Sequence, residues 1–162
     1  MIRRLAVILF VLLVLPVAVR SATAMESIGP RIGVSVDPGQ ILFGGQAVVS
    51  EVAPRVEFVP SAEIGLGDQQ TNVAFNMDFD YRLAIEGSEW TPYVGGGIGL
   101  DFASFDRPGP VRDDSETNVG ATFILGATAP TRSGSKFFTE FRLGLGDLPS
   151  LKIMAGWNFR AR

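Results

Sequence analysis

Ten charged side chains alternate along the chain with apolar or small residues: Arg31, Glu57, Glu63, Asp78, Asp80, Arg82, Asp101, Glu140, Arg142 and Lys152. Carboxylates brought close together can serve as general acid and general base, and clustered charges perturb one another's protonation. The same set can instead pair off, because burying a charge is costly unless it is matched and hydrogen-bonded. The composition favours the second use. There is no histidine and no cysteine in 162 residues. That removes the commonest general base and metal ligand, together with any thiolate site, disulfide framework or lipid-modified cysteine. The ten residues therefore read as an interlocking salt-bridge filling, with an ion path or cation site as the alternative. No catalytic residue, cofactor site or metal site is expected.

Two other constellations could be mistaken for chemistry. Gly95-Gly96-Gly97-Ile98-Gly99 has the glycine density of a phosphate-cradling loop, but such a loop opens a helix and carries Lys-Ser/Thr. Here Leu100-Asp101-Phe102 follows, which continues an extended pattern. Small residues on an inward face would leave room for long side chains opposite. Asp106, Asp113 and Asp114 share an acidic loop, but their spacing fits no EF-hand, so a solvated loop is the reading.

The elements that must position the ten charges are strands. From 73 to 85 every odd residue is apolar: Val73, Phe75, Met77, Phe79, Tyr81, Leu83 and Ile85. Between them stand Ala74, Asn76, Asp78, Asp80, Arg82 and Ala84, so the period is two. Strands of globular proteins run about five or six residues, whereas a tilted strand crossing a bilayer needs roughly nine to eleven. The same test finds Ile32, Val34 and Val36 before the Pro38-Gly39 turn, then strands over 41–49 and 55–66, the latter interrupted by Pro60. Further strands are predicted over 90–102 and 118–129. A seventh carries Phe137, Phe141, Leu143 and Leu145 against Glu140 and Arg142. An eighth carries Leu151, Ile153, Ala155, Trp157 and Phe159 against Lys152, Met154, Gly156 and Asn158.

An even count suits an all-β, eight-stranded, antiparallel up-and-down transmembrane barrel. Open sheet edges are not tolerated in lipid, so the barrel must close. With both ends of the barrel sequence on the periplasmic side, the longest loop, around Asp106–Ser115, falls outside, and Trp90, Phe137 and Phe159 mark a periplasmic aromatic girdle. Alternation by itself does not say which face is outward. The strand lengths and the near absence of charge from the apolar face favour lipid outside; a soluble lipocalin-like carrier would have the apolar face inside.

The first residues set the compartment. Arg3 and Arg4 precede an apolar run from Leu5 to Val19 and the small residues Ser21-Ala22-Thr23-Ala24, the layout of a secretory signal peptide. The expected organisation is a signal peptide over 1–24 and a barrel domain over 25–162. Loss of Arg3, Arg4 and Arg20 moves the formal charge from −3 to −6, and an acidic chain without a basic stripe excludes nucleic acid as a partner.

Thr91-Pro92-Tyr93-Val94-Gly95-Gly96-Gly97-Ile98-Gly99-Leu100 and the terminal Met154-Ala155-Gly156-Trp157-Asn158-Phe159 resemble the small outer-membrane β-barrel proteins of the OmpA/OmpX type, over nearly all of the chain past the leader. The resemblance implies an integral protein of the cell outer membrane, monomeric, surrounded by outer-membrane lipids and lipopolysaccharide. It implies no shared active site. It also implies recognition by the outer-membrane assembly machinery through an aromatic residue closing the last strand, here Phe159, displaced inward by Arg160-Ala161-Arg162. Barrel enzymes acting on lipid A, phospholipid or peptides generally use histidine, which is missing here. A structural or adhesive, non-enzymatic role is thus expected, with a narrow ion or small-solute pore as the alternative.

Overall fold

The computed structural model describes residues 25–68, 70–105 and 115–161. The expected leader over 1–24 and the loop aspartates Asp106, Asp113 and Asp114 lie outside the described residues. Eight strands follow in order: β1 (Met25–Ser35), β2 (Gln40–Ala53), β3 (Val56–Leu66), β4 (Gln70–Arg82), β5 (Thr91–Phe105), β6 (Ser115–Pro130), β7 (Lys136–Gly146) and β8 (Leu151–Arg160). Each pairs antiparallel with the next, and β8 returns to β1 through pairs from Ser27↔Arg160 to Ser35↔Lys152. The sheet is a closed barrel, so no strand edge is left to find a partner.

The facing is unambiguous. Outward positions hold exposed apolar side chains, among them Met77 at 43%, Phe79 at 52% and Ile98 at 62%. Inward positions hold buried polar and charged ones, with Asp78 at 0% and Arg31 and Arg142 at 2%. A soluble carrier would show the reverse, and that alternative is overturned. The lumen is not wholly polar, however. Leu42, Val48, Val59, Ile124, Phe138 and Met154 also point inward and are buried. Phe138 shares the parity of Glu140 and Arg142 on β7 and enters with them, while its neighbour Phe137 stays on the outward face.

Boundaries depart from expectation where backbone donors run out. The strand expected over 73–85 keeps its length of thirteen but is shifted three residues, to Gln70–Arg82. Its last ladder pair is Arg82↔Tyr93. Beyond it the Leu83 amide donates to the Pro92 carbonyl at 2.8 Å, and Pro92 has no N–H to return the bond, so the ladder stops. The fourth connection, 83–90, is consequently longer than the first, third and seventh. Connection length therefore does not by itself separate the two ends of the barrel. At the other end of β4, Gln70, Thr71 and Asn72 pair with Phe105, Ser104 and Ala103, a polar stretch whose composition resembles a loop.

Pro60 does not break β3. The ladder to β4 runs through Pro60↔Met77, while the ladder to β2 skips from Gln46↔Ser61 to Val49↔Phe58 and shifts register before Ala53. The missing donor is thus absorbed on one side by a local irregularity. β2 and β3 then close through a two-residue turn, Pro54-Arg55, with Arg55 at φ +65°. This is the left-handed region that a side chain adopts at some cost.

The aromatic row is real but differently composed. Trp90 meets Phe137 edge-on at 6.4 Å, and Phe137 meets Trp157 at 5.2 Å. Trp157, which had not been expected, joins it beside Phe159. Phe159 lies on the same outward face of β8 nearer the chain end and is half exposed.

Candidate functional site

In a strand, residues two apart share a face, so Glu140 and Arg142 on β7 enter the lumen together, as do Asp78 and Asp80 on β4. Barrel closure brings β1, β3 and β8 around to meet them. The result is a chain of alternating sign across the lumen. Lys152 Nζ donates to Glu63 Oε2 at 2.9 Å, and Glu63 Oε1 lies 3.2 Å from Arg31 Nε. Arg31 Nη2 reaches Glu140 Oε1. Arg142 donates from Nη1 to the same Glu140 oxygen at 3.1 Å and from Nη2 to Asp78 Oδ2 at 2.8 Å. Lys152, Glu63, Arg31, Glu140, Arg142 and Asp78 therefore form one network in which cations and carboxylates balance.

Neutral groups complete it. The Tyr93 hydroxyl donates to Glu140 Oε2 at 3.0 Å, and Thr122 Oγ1 to Asp78 Oδ1 at 3.3 Å. Arg31 Nη1 donates to Gln46 Oε1 at 2.9 Å, and Gln46 passes the chain on to Asn158 at 3.0 Å. Phe138 lies 5.9 Å from the Arg31 guanidinium carbon, a cation–π approach. Tyr93 stands on the inward face of β5, with Gly95 and Gly97 two and four residues beyond it. That Tyr93 would reach a carboxylate on β7 required the closed barrel.

Glycines on β5 make room for the acids. A Cβ on Gly97 would overlap Asp78 Oδ1 and the Met77 carbonyl, and one on Gly95 would overlap Asp80 Oδ1. The glycine run is therefore a lumen wall and not a phosphate loop.

Four of the ten residues stand apart from the network. Asp80 is buried, and its Oδ1 has no hydrogen-bond partner. Asp101 accepts from Asn72 Nδ2 at 2.7 Å, and Asn72 accepts from Gln40 at 3.1 Å; this cluster sits toward the far end of the barrel. Arg82 and Glu57 pair at 3.0 Å near the opposite rim, both partly exposed. A further rim pair, Lys136 with Glu26 at 2.8 Å, was not foreseen because β1 begins at Met25, well before the clear alternation at Ile32.

Chemically, the carboxylates of the network are held by cations within a crowded interior, which suits cohesion and not proton exchange with a substrate. Among the described residues no group of three or more acidic side chains is arranged to hold a metal ion. An open recess of about 330 Å³ lies at the far mouth, lined by Asp37, Gln70, Asn72, Asp101, Asn118 and Asp147 among others.

No family model matches the chain, and no curated protein matches it either. Solved structures do. The N-terminal β-barrel domain of Pseudomonas aeruginosa OprF superposes with a TM-score of 0.62 at 14% identity, covering 83% of this chain and 98% of that one. Neisserial surface protein A superposes with a TM-score of 0.61 at 14% identity, covering 85% and 96%. The fold is that of small eight-stranded outer-membrane barrels, as the sequence resemblance implied.

Proposed function

We propose that the chain is an integral, monomeric barrel of the cell outer membrane with a structural or adhesive and non-enzymatic role. The observation that carries this reading is the inversion of the barrel: apolar side chains outside, and an alternating ion-pair chain from Lys152 to Asp78 inside. An exterior of this kind is stable only against lipid. In this reading outer-membrane lipids and lipopolysaccharide cover the outward face, with Trp90, Phe137 and Trp157 at the periplasmic interface. The assembly machinery engages β8 near Phe159. The far end then faces the medium, in keeping with the name of Neisserial surface protein A.

The narrow pore is the competing reading of the same barrel, and the filled lumen argues against it. The test is fractionation with gel mobility before and after heating, followed by planar-bilayer recording. The expected outcome is heat-modifiable protein in the outer-membrane fraction that passes no current. A soluble periplasmic product would end the membrane reading, and stepwise conductance by the unaltered protein would replace the structural role with a pore.

A further inference from the structure

The seventh connection, residues 147–150, bends into the mouth of the barrel. Gly146 ends β7 at φ +82°, a left-handed backbone that favours glycine. Leu148 then lies over the inward faces of three neighbouring strands. A Cβ on Gly120 of β6 would stand 2.8 Å from Leu148 Cγ, one on Gly99 of β5 3.0 Å from its Cδ1, and one on Gly144 of β7 3.1 Å from its Cβ. Side chains at those positions would crowd the leucine, and at Gly120 and Gly144 they would also meet the Leu145 and Pro149 carbonyls at 2.2 Å; Leu148 occupies the space that three glycines leave open. Pro149 is buried beside it. The Gly144 amide donates to the Ser150 carbonyl at 3.1 Å, and the Ser150 amide to the Asp37 carbonyl at 3.2 Å. These bonds tie the connection both to its own strand and to the first connection.

Leu148 stands at a boundary. On its outer side is the recess of about 330 Å³, lined by Asn72, Asp101, Asn118 and Leu148 itself. At its inner tip is Asn76, paired across the ladder with Gly99; the Asn76 Oδ1 lies 3.0 Å from the same point above Gly99 that Leu148 Cδ1 approaches. Asn76 is only 4% exposed, and the Asp78–Arg142 pair follows it into the lumen. An apolar side chain offers water no hydrogen bond, so it interrupts a wet path between two polar regions.

The geometry points to a plug: the 147–150 connection closes the far mouth, Leu148 is its seal, and withdrawing it opens the lumen to water and small ions as far as Asn76. This goes beyond the structural role proposed above, which needs a filled lumen but no loop seated on a glycine cradle.

The chain has no cysteine, so a single introduced thiol reports access without background. Asn76→Cys is exposed in whole cells to a membrane-impermeant, charged methanethiosulfonate reagent. Asn118→Cys, in the recess, serves as the control. With Leu148 present, Asn76→Cys should react slowly; with Leu148→Asp or Leu148→Gly it should react at least tenfold faster, while Asn118→Cys keeps its rate. Heat-modifiable mobility verifies assembly. Leu148→Gly adds no charge and keeps the loop length, so it carries the test if the aspartate variant does not assemble. Equal rates at Asn76→Cys with and without the leucine, whether both fast or both slow, overturn the proposal.

Discussion

Replacing Arg142 by alanine leaves Asp78 with only the Thr122 hydroxyl, while Glu140 keeps Arg31 and Tyr93. Breaking a buried pair from one side strands a charge in a low-dielectric interior and costs about 3–5 kcal/mol. Arg82→Ala breaks a pair that water already reaches and should cost no more than about 1 kcal/mol. Urea unfolding of the two variants in lipid vesicles checks the difference; equal losses would show that the lumen network is not the cohesive element. All ten charges could be named from alternation, because a side chain's face is a local property of its strand. Their partners could not. Tyr93, Gln46 and Thr122 carry no charge, and nothing local marks them as neighbours of Glu140, Arg31 and Asp78. Asp80 looked like its neighbour Asp78 in sequence, yet only Asp78 meets an arginine.

At the scale of the strand, the β5 glycines test what the lumen needs. Gly97→Ala places a methyl group against Asp78 and the Met77 carbonyl, an overpacking expected to cost about 1–3 kcal/mol. Gly45→Ala faces outward on β2, where the new Cβ would find its nearest neighbour, the Gly29 carbonyl, at 3.7 Å. It should be neutral or stabilising by up to about 1 kcal/mol through the unfolded state. Measured unfolding midpoints that rank the two the other way would show that β5 glycines do not accommodate the acids. Strand existence was legible throughout, since an apolar residue at every second position leaves few alternatives. Strand ends were not. β4 stops at Arg82 because Pro92, on another strand, cannot donate, and alternation within 73–85 carries no trace of that. β2 likewise runs on to Ala53 because β3 is there to pair with it.

The whole molecule presents an apolar belt, and its depth profile can be probed one residue at a time. Met77 lies near the middle of β4 and Tyr81 near its end, both facing outward. Met77→Arg should destabilise the barrel in lipid by about 2–4 kcal/mol and Tyr81→Arg by no more than about 1 kcal/mol. Similar costs at both positions, measured by unfolding in vesicles, would contradict a bilayer centred on Met77. By itself the sequence determined the strand period, the number of strands and the set of inward charges, all of which follow from backbone pleating along a single strand. It also excluded histidine and thiol chemistry by composition. Only the tertiary structure decided which face points outward, which charges join and which stand apart, and that Leu148 enters the mouth. The reason is separation along the chain. Arg31 and Glu140 are 109 positions apart, and their meeting depends on the stagger of all eight strands at closure, which no local pattern encodes.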